Sequence, residues 1–141
     1  MNAAKMFKVQ GKAASTGQLS SLVEALGHEL PESYLKFLGS ANGAECGPCD
    51  EAGDSLRILS SDEVVNFNRD YGVAESLPEI LCFASDGGDR AFAFDRSSHD
   101  DENSWNIVLI ELGDLSADSL LRVSESFCSW ADANFDYTVL A

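Results

Sequence analysis

Two short apolar runs lie within Leu77 to Asp95, on either side of Asp86-Gly87-Gly88-Asp89. Gly-Gly between two such runs is a strong hairpin signal, because a two-residue primed turn needs positive φ at its centre. With Gly87 and Gly88 as the loop, Phe83 faces Phe92, Leu81 faces Phe94, Cys82 faces Ala93 and Ala84 faces Ala91. Side chains alternate across a strand. One face of the hairpin is therefore large and apolar and suits a core. The other is built of small residues, so a helix or strand can approach it closely.

The 141 residues fit one domain, and 45% hydrophobic content supplies a core. Met6, Phe7 and Val9 suggest a short strand or docked arm. Leu19, Leu22, Val23 and Leu26 recur with the spacing of one helix face. Ser15 or Thr16 can cap that helix, and Gly27 can end it. Pro31 begins a second helix with Tyr34, Leu35, Phe37 and Leu38 as its apolar stripe, stopped by Gly39 and then Asn42-Gly43. Residues 44–55 read as a loop and Leu56, Ile58 and Leu59 as a short strand. Ser60 with Glu63 matches a capping box for a third helix, anchored by Val64, Val65 and Phe67 and ending before Gly72.

After the hairpin, residues 96–104 are polar and predict an exposed loop. Trp105 to Leu112 is apolar on both alternating faces, as in a central strand. Ser116 is expected to cap a last helix running to about Phe135, with Leu120, Leu121, Phe127, Cys128, Ala131 and Phe135 on its buried side. Tyr137 to Leu140 could add an edge strand. The order, helices first, then a mostly antiparallel meander, then a helix, predicts an α+β class, as one domain over 1–141.

Charge narrows the function. Asp plus Glu number 24 against 9 Lys plus Arg, a net of −15. That field repels nucleic-acid phosphate and anionic membranes, and its natural complement is a basic protein. No apolar run approaches the roughly 18 residues needed to span a bilayer, and no secretory signal is expected. The chain reads as cytoplasmic with reduced thiols. Cys82 and Cys128 sit in apolar patterns and are expected to be small buried hydrophobes.

Cys46-Gly47-Pro48-Cys49 is the sharpest short motif. In a thiol–disulfide oxidoreductase it would follow a strand and open a helix. Here it follows Asn42-Gly43 and precedes Asp50-Glu51-Ala52-Gly53-Asp54, whose carboxylates disfavour a thiolate. Structural zinc needs four ligands, and no second Cys or His pair completes a set. His99 has acids beside it, but no nucleophile elbow is present. Asp86-Gly87-Gly88-Asp89 lacks the regular oxygen ligands of a calcium loop and the lysine of a phosphate loop. No catalytic residue, cofactor or metal is expected.

Several marks in order resemble the SUKH superfamily, the Smi–Knr type of domain. They are Leu30-Pro31-Glu32-Ser33-Tyr34-Leu35-Lys36-Phe37-Leu38, Asn42-Gly43, the Leu56–Leu59 strand and the helix with Asn66 and Asn68. The Leu81–Gly88 hairpin with Phe92-Ala93-Phe94-Asp95 follows, and then Ser126-Phe127. Together they run from about 19 to 135. The resemblance implies an α+β domain with a single twisted, mostly antiparallel sheet packed with helices, which works by binding. Bacterial members are commonly immunity proteins that bind and silence a toxin, often a nuclease; eukaryotic relatives are regulators. The expected function is stoichiometric neutralisation of a basic toxin domain, with a regulatory scaffold as the alternative. An oxidoreductase using Cys46 and Cys49 is a remote third.

Between Glu45 and Ser104 lie 15 acidic residues and 4 arginines, a net of −11. Two polar loops in this span are the expected partner-binding surface. One holds Glu45, Asp50, Glu51 and Asp54; the other holds Asp100, Asp101 and Glu102. Exposed carboxylates there can occupy a basic cleft shaped for phosphate.

Overall fold

The hairpin is the centre of the fold. The computed structural model describes residues 9–46, 56–133 and 135. In it β4 (Ile80–Ser85) pairs antiparallel with β5 (Arg90–Asp95). They sit within a seven-stranded sheet whose spatial order is the order along the chain. The other strands are β1 (Val9–Gln10), β2 (Ala44–Cys46), β3 (Leu56–Ile58), β6 (Asn106–Glu111) and β7 (Leu121–Ser124), and every neighbouring pair is antiparallel. Helices α1 (Thr16–Leu26) and α2 (Glu32–Ser40) lie between β1 and β2. Helices α3 (Ser61–Asp70) and α4 (Val73–Ser76) lie between β3 and β4, and α5 (Phe127–Asp132) follows β7. This is the expected α+β class.

The hairpin register departs from expectation near its turn. Leu81 faces Phe94 and Cys82 faces Ala93, as alternation predicts. Ala84, not Phe83, faces Phe92, and Ser85, not Ala84, faces Ala91. The loop is one residue longer than two. The Asp86 carboxylate accepts from the N–H groups of Gly88 (2.8 Å) and Arg90 (3.2 Å), a side-chain mimic of a backbone turn. Phe83 is then the extra residue of a bulge. The bulge keeps Phe83 and Ala84 both on the aromatic side. In the straight register Ser85 would take that side; here its hydroxyl accepts from Gly87 N–H at 2.9 Å.

Each face of the sheet has its own core. Leu81, Phe83, Phe92, Phe94, Ile107 and Leu109 pack against Leu22 of α1, Tyr34, Phe37 and Leu38 of α2, and Phe127 and Trp130 of α5. Phe83 and Phe94 stack at 4.3 Å between centroids, and Tyr34 meets Phe83, Phe94 and Phe127 edge-on at 5.2–5.6 Å. Such pairs contribute about 0.5–1.5 kcal/mol each beyond area burial. The opposite face carries Ile80, Cys82, Ala91, Ala93, Val108 and Ile110, with Val73 of α4 buried among them. The small side chains admit that close approach, as the alternation predicts.

Two asparagines join helix to sheet. β3 is three residues long and leaves the Cys82 backbone beyond its reach. Asn68 of α3 takes the place of a strand: its Oδ1 accepts from Cys82 N–H at 2.8 Å and its Nδ2 donates to Cys82 O at 2.9 Å. Asn42 receives the start of α3, its Oδ1 accepting from Ser61 N–H at 2.7 Å. Gly11 N–H donates to Gly43 O at 2.7 Å, and a Cβ at Gly11 would collide with the Asn42 carbonyl oxygen.

The helix-end signals are largely met. Ser15 with Gln18 and Ser60 with Glu63 form capping boxes, and Gly27 ends α1 with φ +77°. Pro31 stands one position before α2 rather than inside it. Residues 44–46 are strand, not loop, because β1 and β3 pair with both their edges. The expected long last helix does not form. A 3₁₀ turn (Ala117–Ser119) leads into β7, and α5 starts only after Ser126, whose Oγ accepts from Ser129 N–H at 3.1 Å. The open edge of β6 is satisfied by β7, and Leu120-Leu121 is too short an apolar run to distinguish helix from strand. Leu121 and Cys128 are consequently exposed, whereas Phe127 and Phe135 are buried. Met6, Phe7 and Tyr137 to Leu140 lie outside the described residues.

Candidate protein-binding surface

The acidic residues singled out by sequence fall into three groups. Asp50, Glu51 and Asp54 lie outside the described residues. Glu45 is exposed on β2, in the cross-strand row Glu45, Arg57, Ser85, Ala91 and Ile110. That row lies beside the Gly87-Gly88 turn. Asp100, Asp101 and Glu102 belong to the loop between β5 and β6, which leaves β5 at its other end. The sheet therefore sets Glu45 and the second acidic loop at opposite ends of its strands.

The 96–104 loop is closely tied down. Ser98 Oγ donates to Asp95 O at 2.7 Å and accepts from Asn106 N–H at 2.9 Å. Trp105 Nε1 donates to His99 O at 3.1 Å. Asn103 Oδ1 accepts from Glu32 N–H at 2.8 Å, across to the start of α2. Within this frame Asp100 and Asp101 are exposed and Glu102 is half-buried. Asp101 has an internal task as well, because its Oδ1 accepts from Asn103 N–H at 3.0 Å. Anchoring of this kind fixes carboxylates in space at little further cost in chain entropy on binding.

The side of the sheet next to this loop is hollowed. A cavity of about 510 Å³ is lined by Leu77, Ile80, Val108, Leu120 and Arg122 among others. A second, of about 430 Å³, is walled by His99, Asn103, Ser104, Glu125 and Ser126. Asn106 and Arg122 line both. Sequence reasoning missed these residues because the segment carrying Leu120 and Arg122 reads as helix.

Of the cysteines, Cys82 is placed for packing. Cys82 is fully buried, and burial pushes its thiol pKa up to about 12. Cys128 is an exposed free thiol rather than the buried one expected. Cys46 lies on β2, and Cys49 is outside the described residues. Among the described residues no group of three or more His, Cys, Asp or Glu is placed to hold a metal ion. No helix among them is long and apolar enough to cross a membrane.

In comparison with protein families, the SMI1 / KNR4 family (SUKH-1) model matches residues 13–133. A search of curated proteins finds no match.

Proposed function

The chain belongs to the SMI1 / KNR4 family (SUKH-1), and from that premise we propose that it is an immunity protein. It binds a partner toxin, with a nuclease as the chemistry best suited to its charge, and neutralises it by stoichiometric contact. It performs no chemistry of its own on this reading, and it acts in the cytoplasm. The family is generally associated with immunity proteins. The observation that carries the reading here is the anchored acidic loop, with Asp100 and Asp101 exposed on a surface of net charge −15. A basic cleft shaped for phosphate would be filled by those carboxylates, and opposite fields would speed association toward about 10⁸–10⁹ M⁻¹s⁻¹ at low salt.

The test needs a toxin partner, to be sought first among the genes beside the one encoding this chain. Asp100→Lys with Glu102→Lys should slow association and flatten its salt dependence. Asp101 is spared in that pair because it holds Asn103. Glu51→Lys with Asp54→Lys examines the other acidic stretch of the sequence. If all four changes together leave the on-rate unaltered, the acidic loops are not the recognition surface.

A further inference from the structure

Sheet register explains the apolar hollow. Ile80, Asp95 and Asn106 form one cross-strand row, and Val108 with Arg122 forms part of the next on the same face. Ile80 and Val108, 6% and 5% exposed, are its floor. Leu77 and Leu120, both half-buried, are its rims. Asn106 and Arg122 wall both this hollow and the polar one, which His99, Asn103 and Ser104 of the acidic loop line, so the two lie side by side. The two adjoining hollows, called the trough below, place an apolar floor beside the loop that carries Asp100–Glu102.

Its charges select an occupant. Glu79 and Asp95 line the apolar part and Glu125 the polar part, against the single guanidinium of Arg122. On the loop that lines the polar part, Asp100, Asp101 and Glu102 outnumber the neighbouring Arg96, whose Nη1 donates to Pro78 O at 3.2 Å. That balance disfavours an acidic segment and favours a basic one. An apolar floor between half-buried leucines, with charged side chains around them, is also the layout of an anchor pocket at a protein interface. Arg122 is exposed at the junction and offers donors to backbone carbonyls of a bound segment.

We propose that this trough receives an apolar side chain, flanked by lysine or arginine, from a segment of the partner protein. The proposal rests on the reading that the chain binds a basic protein, and it adds where the partner is anchored and by what chemistry.

The test is a set of titrations of ¹⁵N-labelled full chain with three capped pentapeptides: Lys-Lys-Phe-Lys-Lys, Lys-Lys-Ala-Lys-Lys and Glu-Glu-Phe-Glu-Glu. The first should shift the amides of Ile80, Asn106, Val108, Leu120 and Arg122 saturably. The other two should bind at least about tenfold more weakly. Leu77→Asp and Leu120→Asp should remove those shifts while leaving the β5 amides in place, and Leu120→Met should restore them. The trough is overturned if the alanine peptide binds as tightly as the phenylalanine one, or if the rim amides do not move. Binding that survives Leu120→Asp but fails with Asp100→Lys and Glu102→Lys also overturns it, and leaves the acidic-loop reading standing. The reverse pattern supports the trough and removes the acidic loop.

Discussion

Asn103 caps a helix that begins 71 residues before it: its side-chain oxygen accepts the N–H of Glu32 at 2.8 Å. Pro31, at the cap position of α2, has no side-chain acceptor to offer. The β5–β6 loop thus supplies what the helix sequence lacks, and the helix in turn holds the loop. Asn103→Ala should cost about 1 kcal/mol in urea unfolding, and Asn103→Asp, which keeps an acceptor, should cost less.

Asn68 should be far more sensitive than an ordinary helix asparagine. Asn68→Ala strips both the N–H and the C=O of buried Cys82 of their partners. Each orphaned group costs roughly 1–3 kcal/mol, so a loss of about 3 kcal/mol or more is expected in chemical denaturation. Asn66→Ala, two positions away on the same helix, is the control and should change little.

Tyr34 presents the opposite case. It is fully buried among Phe83, Phe94 and Phe127, and its hydroxyl has no hydrogen-bond partner among the described residues. Burying an unpaired hydroxyl costs about 1–3 kcal/mol. Tyr34→Phe should raise the unfolding midpoint, whereas Tyr34→Ala should lower the unfolding free energy by about 3–5 kcal/mol.

Alkaline pH should destabilise the fold. Burial raises the Cys82 thiol from its ordinary 9.0 to about 12, and raises Tyr34 above its ordinary 10.0 as well. Above pH 9 the unfolded chain gives up these protons while the folded chain retains them. Stability then falls as pH rises from about 9 toward 12. Unfolding free energies measured from pH 7 to 11 should decline, and Cys82→Ser should shallow the decline. In native protein at pH 8, Cys128 should be alkylated quickly and Cys82 slowly.

Local chemistry was legible where neighbours in sequence settle it. Ser15, Ser60 and Gly27 mark helix ends because their partners lie within four residues. The two faces of the hairpin followed from alternation except at Ala84, which the bulge moves to the aromatic side. The turn was misjudged because Asp86, beside the glycines, lengthens the loop through its carboxylate, and the bulge at Phe83 answers it. The last helix was misjudged because Leu121 to Ser124 is strand only by virtue of the β6 edge it satisfies. The acidic residues of the candidate surface could be read from composition. Their arrangement could not: the sheet parts Glu45 from Asp100, and brings Leu77, Val108 and Leu120 together from three distant segments.

The strand order, identical in space and along the chain, has a kinetic consequence. Each strand meets its partner without waiting for a segment from the far end, so loop closures are comparatively short and the ordering entropy is recovered step by step. The β4–β5–β6 meander carries the longest strands and much of the aromatic core, and it can form first. On this reasoning its amide hydrogens, those of Phe92 to Phe94 above all, are the last to exchange with solvent. The short strands β1 and β7, at the two margins, open earliest.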